Sequence, residues 1–441
     1  MVEFDKKRLE VYKAEVHKLG ETLAKQIREK AAAYGVAEET EKLVKTFSQC
    51  FVNTVDTTVK CLPEEEVFLI TGDIEAMWLR DSSAQVAHYM PYLTEYPLLA
   101  QMVKGLVLRQ FRYIEIDPYA NAFNVEANGR CWTKDDTEDT PWDWERKYEI
   151  DSLAYPIRLL YDYWKATGDK EIFTEQIHRT LHMILDLFQT EQHHTEKSGY
   201  YFRRENCPVT DTLACDGKGT PVGYTGMIWC GFRPSDDACQ YGYLIPANLF
   251  AAEVLNYVVE IADIYGDKEL AERALVMKKE ILDGVEKYGK VNHPVYGEIY
   301  AYEVDGLGNV NLMDDANVPS LLSLPWLRCL EASEPVYQNT RKFVLSKENP
   351  FYYEGTAAKG IGSPHTPPSY VWHIALSMQG LTSVNAEEKK ELLQLLLHTD
   401  AGTGYMHEGF DCNDPEKFTR DWFAWSNSLF ALYVLTYFEL Y

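Results

Sequence analysis

Six short polar stretches recur along the chain, and each runs into an apolar segment rich in small residues. They are Arg80-Asp81-Ser82-Ser83, Glu149-Ile150-Asp151-Ser152-Leu153, Pro234-Ser235-Asp236-Asp237-Ala238, Asp314-Asp315-Ala316-Asn317-Val318-Pro319-Ser320, His365-Thr366-Pro367-Pro368-Ser369-Tyr370 and Trp425-Ser426-Asn427-Ser428. The segments that follow, in the 320s, at Tyr370-Val371-Trp372 and at Leu429-Phe430-Ala431-Leu432, are apolar nearly all round. A helix of that kind is buried on every side. Between the stations lie amphipathic patterns. Leu9, Tyr12, Val16, Leu19, Leu23 and Ile27 step by three and four, as do Ile177, Leu181, Ile184 and Phe188, and Leu255, Val259 and Ala262. The spacing of stations leaves room for one helix out and one back. Alternating buried and amphipathic helices, six of each, predict an all-α chain folded as an (α/α)6 barrel, with the stations gathered at one end of the inner ring.

No long run alternates with period two, so strands are expected only as excursions near Tyr200-Tyr201-Phe202 and Glu298-Ile299-Tyr300. Gly168-Asp169-Lys170-Glu171 recurs as Gly266-Asp267-Lys268-Glu269, and each reads as a helical hairpin. Gly closes one helix in a left-handed conformation and Asp caps the next. No Pro/Gly/Ser-rich linker interrupts the 441 residues, so one domain over residues 1–441 is expected, with 1–60 supplying the first outer helices.

Composition excludes several partner classes. The net charge of −25 disfavours nucleic acid and anionic membrane surfaces and suits a neutral ligand. The N-terminus lacks the apolar core of a signal peptide, and no apolar stretch reads as long enough to span a bilayer. Nine cysteines without a CxxC pair read as reduced thiols, so a cytoplasmic location is expected. No phosphate-binding glycine loop or nucleophilic serine elbow is present, and no cofactor is expected. His365, His373 and His407 lack metal-ligand spacing and read as hydrogen-bonding histidines, so no metal is expected.

The chemistry concentrates in a few segments. Gly72-Asp73-Ile74-Glu75-Ala76-Met77-Trp78-Leu79-Arg80-Asp81-Ser82 packs carboxylates, an arginine and a tryptophan into eleven residues. Trp offers a flat face to a sugar ring, and Arg and Asp pair with hydroxyls. Asp81-Ser82-Ser83 reads as a helix N-terminus, and a capped helix with a structural Arg–Asp pair is the competing interpretation. Trp142, Trp144, Glu145, Lys147, Glu149 and Asp151 make another mixed station. Asp236-Asp237 lies on an irregular loop end, where repulsion between neighbours is expected to raise one carboxyl pKa, as a general acid requires. Glu408 stands among glycines and aromatics, ahead of Trp422-Phe423-Ala424-Trp425. Two acids on one rim are what glycoside hydrolysis needs, and sequence does not decide inversion from retention.

Five of these segments together resemble the glycoside hydrolase family 125 exo-α-1,6-mannosidases. They are Gly72 to Ser82, Trp144-Glu145-Arg146-Lys147-Tyr148-Glu149-Ile150-Asp151-Ser152-Leu153, Gly231-Phe232-Arg233-Pro234-Ser235-Asp236-Asp237-Ala238, Met313-Asp314-Asp315-Ala316-Asn317-Val318-Pro319 and Tyr405-Met406-His407-Glu408. The resemblance runs in order from about residue 45 onward. It implies an (α/α)6 barrel and metal-independent, inverting release of a terminal α-1,6-linked mannose. In that carry-over Asp236 is the general acid, with Asp237 the fallback, and Glu408 is the general base. Arg80 and Asp81 would hold the non-reducing mannose, with Asp73, Trp78, Asp151, Asp237, Asp315, Asn317, His365 and Trp425 as further binding residues. The expected partner is a mannose-containing oligosaccharide. A sugar epimerase on the same barrel and a mannoside-binding protein without turnover are the alternatives. Residues 203–230 are expected to wall the aglycone side.

Overall fold

The computed structural model describes residues 3–441. The chain is mostly helical. Two of the amphipathic patterns become the helices Lys6–Lys30 and Glu175–Gln192, each burying one stripe, as does Lys268–Tyr288; the third pattern, Leu255, Val259 and Ala262, falls in Ile245–Tyr265, which is buried on most of its faces. In the first, Tyr12, Val16, Leu19, Leu23 and Ile27 are buried while Leu9 is half-buried. The apolar helices are enclosed instead. Every residue from Ala424 to Leu435 in the helix Ala424–Tyr437 is buried. That helix packs against His373–Leu381 and Leu79–Ala84; Leu79–Ala84 packs against Ile150–Thr167, and this in turn against Ile245–Tyr265. One continuous cluster of buried apolar side chains runs from Tyr12 to Phe438.

Ile245–Tyr265 corrects one expectation. Its 21 residues are long and apolar enough to cross a bilayer, with mean hydropathy 1.2, but most of that surface is packed inside the protein. A core helix and a membrane span meet the same composition test.

The strands are short and form six sheets of two or three strands. They are more numerous than the sequence pattern predicts, because two- and three-residue strands carry no period. Three of them run directly into central helices. Met77–Trp78 leads into Leu79–Ala84, Tyr243–Leu244 into Ile245–Tyr265, and Tyr370–Trp372 into His373–Leu381. Each pairs with a strand from elsewhere in the chain, namely Ala122–Phe123, Glu303–Val304 and Gly409–Asp411. Small antiparallel sheets thus fix where central helices begin. Tyr370–Trp372 is therefore a strand, not the helix expected there. Glu298–Tyr300 lies in the strand Gly297–Tyr300 as expected, whereas Tyr200–Phe202 is irregular.

Three helix starts also differ. Asp81, Ser82 and Ser83 lie inside Leu79–Ala84, whose N-cap is Trp78, because Leu79 N–H already donates to Asn121 O (3.1 Å). The segment at 321–330 forms turns. There the Asp314 carboxylate accepts from the Leu321 and Leu322 N–H groups (2.8 and 3.0 Å), and Ser320 and Ser323 bond each other's backbone. Such local bonds compete with helix formation. In the repeated hairpin motif, Gly168 and Gly266 are both left-handed caps, but only Asp267 caps the next helix; Thr174 caps the other.

Gly105 shows how tightly the helix Pro97–Ile116 is pressed on its neighbour. A Cβ there would lie 2.3 Å from the Glu65 carbonyl oxygen. Glycine to alanine in a helix interior ordinarily stabilises by about 1 kcal/mol. Gly105→Ala should instead destabilise, by about 1–3 kcal/mol as in an overpacked core, read from urea unfolding. A variant more stable than the parent would show that the contact relaxes freely.

Candidate active site

Arg80 anchors the site. Its side chain is 2% exposed and is met by four carboxylates. Nη1 lies 2.6 Å from Glu149 Oε2 and 3.2 Å from Asp151 Oδ2; Nη2 lies 3.3 Å from Asp236 Oδ1; Nε lies 3.4 Å from Asp81 Oδ2. One guanidinium cannot neutralise four buried carboxylates, so the cluster retains protons. Burial pushes Glu149 well above the usual carboxylate range against the pull of Arg80, with Asp151 and Asp236 adding repulsion. Burial also lifts Asp81 and Asp151 to about 6, again against Arg80.

Asp236 goes the other way. Burial would raise it, but Arg80, Lys147 and His365 together, and a hydrogen bond with Glu149, hold it below the ordinary value. This corrects the expectation that the neighbouring acid would raise it: cations around the turn outweigh repulsion along it. The pair Glu149–Asp236 nonetheless shares a hydrogen bond, with the proton favouring Glu149.

The turn that carries Asp236 is pinned from all sides. Asp236 adopts a left-handed backbone conformation (φ 68°). Lys147 Nζ donates to its carbonyl (2.8 Å) and to Asp211 Oδ1 (2.5 Å). Arg233 pairs with buried Glu303 (2.6 Å), Asn317 Nδ2 donates to Pro234 O (2.7 Å), and Ser235 Oγ donates to Asp315 Oδ2 (2.5 Å). Asp237 faces His365 Nδ1 at 3.7 Å. Burial would lower the His365 pKa, but Asp237, Glu408 and Asp236 raise it to about 9, so it is an imidazolium at neutral pH.

Glu408 stands at the opposite end of the sequence from this cluster, just before the strand Gly409–Asp411. Arg420 Nη1 lies 3.6 Å from its Oε1, and the same guanidinium binds Asp73 (Nη2 to Oδ1, 2.5 Å). Gly72 makes that meeting possible. Its φ is 141°, and a Cβ there would lie 2.4 Å from the Trp422 carbonyl oxygen, which also accepts from Asp73 N–H (3.2 Å). The glycine opening the first motif thereby seats the chain's C-terminal region beside it.

These groups open onto one cleft of about 620 Å³. Asp73, Trp78, Arg80, Asp81, Asp236, Asp237, Asn317, His365 and Glu408 all line it. Three expected binding residues do not. Asp151 is fully buried behind Arg80, Asp315 holds Ser235, and Trp425 faces a separate cavity of about 40 Å³ beside Tyr155. Asp151 and Asp315 instead hold Arg80 and Ser235, which do line it. Arg420, Trp132 and Arg204 line the cleft without having been singled out from sequence. From the 203–230 segment, Arg204, Pro208, Thr210 and Asp211 form part of the wall. His373 and His407 are hydrogen-bonded within the protein, the former to His407 N–H (3.0 Å) and the latter to Thr403 Oγ1 (3.2 Å). Trp78 Nε1, Trp144 Nε1 and Asp237 Oδ2 are buried without a hydrogen-bond partner among the described residues. Two donors and an acceptor in a cleft faced by tryptophans match the hydroxyls and apolar faces of a sugar.

An acid-lined, aromatic cleft on a mostly helical frame is that of a glycoside hydrolase. Comparison with known proteins specifies it: residues 40–435 match the model of the metal-independent α-mannosidases, glycoside hydrolase family 125, and the chain belongs to that family. A metal-independent α-mannosidase of Streptococcus pneumoniae, in a non-productive complex with α-1,6-mannobiose, superposes with TM-score 0.92 at 43% identity, covering all of both chains. The meiotically up-regulated gene 157 protein of Schizosaccharomyces pombe is 40% identical over 423 residues, which is 91% of this chain and 83% of that protein. A glycosidase at 12% identity (TM-score 0.56, 92% of this chain and 99% of the other) shares the fold.

Arg80→Met should remove the cation and leave the carboxylates buried, costing about 3–5 kcal/mol. The folded-state pKa values of Glu149, Asp81 and Asp151 would then rise further above the unfolded ones, and Asp236 would lose the cation that holds it low, so stability is kept at low pH and lost as pH rises. The defect in chemical unfolding should be smaller at pH 4.5 than at pH 7.5. Equal defects at both would mean that the cluster does not hold its charge through Arg80.

Proposed function

We propose that the chain is an exo-acting, inverting mannosidase that releases terminal α-1,6-linked mannose from mannosides or N-glycan fragments. The observation that carries this is the placement of Asp236 and Glu408, distant in sequence, on one cleft, each beside its own arginine. The mannobiose bound by the pneumococcal relative supports the linkage. Asp236 protonates the glycosidic oxygen as the bond to the anomeric carbon breaks. Glu408 takes a proton from the water that attacks the opposite face, and mannose leaves as the β anomer. Room for that water needs carboxyls about 6.5–9.5 Å apart. The proton shared between Glu149 and Asp236 supplies the acid. Arg420 orients Glu408 and gives it a counter-charge. Arg80 and Asp81 border the non-reducing mannose.

Asp237 is the second candidate for the acid. Its Oδ2 is unpartnered, and Asp236 is held low by cations. We read the central helices as the inner ring of an (α/α)6 barrel in a single domain, with Lys6–Lys30 and Thr40–Thr57 outside.

Hydrolysis of α-1,6-mannobiose followed by proton NMR should show β-mannose first; α-mannose first would overturn the base role of Glu408. Asp236→Asn and Glu408→Gln should each lower kcat by about 10²–10⁴. An aryl mannoside whose leaving group needs no protonation should rescue the variant of the acid alone. Rescue of Asp237→Asn and not Asp236→Asn would move the role by one residue.

Trp132 is 68% exposed yet lines the cleft, which suits it to stack on the sugar beyond the scissile bond. Trp132→Ala should raise KM for α-1,6-mannotriose more than for mannobiose, by about threefold to tenfold, on the order of 1 kcal/mol. An unchanged ratio of the two KM values would place the longer substrate elsewhere.

A further inference from the structure

The structure brings together a second polar cluster away from the cleft. His178 and His182 stand four residues apart on the helix Glu175–Gln192, so both imidazoles project from one face. The helix Lys268–Tyr288 begins beside them, and its N-cap is Asp267. Both Nε2 atoms lie 2.8 Å from the same oxygen, Asp267 Oδ2. One ligand atom from each of the three residues falls within 4.8 Å of the others.

The neighbours hold this arrangement in place. Asp267 Oδ1 accepts the Leu270 N–H (2.9 Å), which fixes the carboxylate and aims Oδ2 at the two rings. Tyr265 stacks on His178 with centroids 4.3 Å apart, and its own hydroxyl donates to Thr174 O (3.0 Å). Oriented ligands backed by such contacts characterise metal sites. The histidines are specific to this hairpin. In the sister motif Asp169 takes Lys104 Nζ (2.7 Å) and Tyr163 OH (2.9 Å) instead.

We propose that His178, His182 and Asp267 bind a divalent transition-metal ion of the zinc class, which clips the start of one helix to the face of the preceding one. Tetrahedral zinc with bonds near 2.0 Å separates its ligands by about 3.3 Å, so an ion replacing the shared hydrogen bonds would lengthen each N–O separation by about half an ångström and bring the two ring nitrogens, already within 4.8 Å of each other, to the same spacing. Three protein ligands leave a fourth position for water. The side chains are 27%, 30% and 18% exposed, which leaves the cluster open to solvent for entry of the ion. None of the three lines the cleft, so a structural ion here is compatible with chemistry that uses no metal.

The test uses the full chain, stripped with EDTA and dialysed. Calorimetric titration with zinc sulfate should show one equivalent bound, and that equivalent should raise Tm. His182→Ala and Asp267→Asn, the latter keeping a capping side chain, should lose the equivalent and the zinc-dependent rise in Tm while unfolding cooperatively without metal. Cobalt(II) added to the wild-type protein should give the visible absorption of a tetrahedral site, so the proposal is tested even where a variant fails to fold. Wild-type protein that takes up no zinc, or variants that keep the same equivalent, would overturn the proposal and leave the cluster as histidines hydrogen-bonded to an N-cap.

Discussion

A single buried guanidinium fixes the relation between three distant parts of the chain. Arg80 comes from the short helix after the first motif, Glu149 and Asp151 from the start of Ile150–Thr167, and Asp236 from the turn after Arg233. Desolvating one cation and four acids is costly, and hydrophobic residues of the same volume would stabilise the fold as well or better. What the cluster supplies is geometry. Arginine presents a rigid fork of donors, so each carboxylate has one direction from which it can bind. Asp236 is held at the end of that fork. Its neighbours must keep protons because the cation cannot balance them all.

The same device recurs around the cleft. Lys147 pins the Asp236 backbone, Arg233 ties that turn to Glu303, and Arg420 spans Asp73 and Glu408. In each case a cation fixes the position of an acid. The chain's large negative charge is thus no measure of its active cleft, where cations set the protonation states. For a neutral substrate this matters. Oriented dipoles and charges that need no rearrangement are the main resource for stabilising an oxocarbenium-like transition state.

The long amphipathic helices were legible because a stripe of six apolar residues at three- and four-residue steps suits one face of a helix and no strand. So was the gathering of polar stations, since nine of the twelve expected site residues line one cleft. The failures have physical causes. Tyr370–Trp372 is apolar enough for a buried helix, and only its pairing with Gly409–Asp411 makes it a strand. The 321–330 turns depend on where the Asp314 carboxylate points. Asp151, Asp315 and Trp425 share stations with cleft residues, but neighbours on a helix or turn face different ways. The lowered pKa of Asp236 was out of reach, because the cations responsible are 156 and 89 residues away in sequence. Arg420 carries no local signal at all; its role exists only once Gly72 has brought Trp422 alongside Asp73.

That last contact bears on when the protein becomes active during its synthesis. The cleft is lined from Thr71 to Phe423, and its final wall is set against a glycine made some 350 residues earlier. A growing chain has neither Glu408 nor Arg420 facing the cleft beside Arg80 and Asp236 until its last strands emerge. A chain cut short before Trp422 would lack both this wall and the helix Ala424–Tyr437, whose residues from Ala424 to Leu435 are all buried, so the core and the cleft are completed together, at the end of translation.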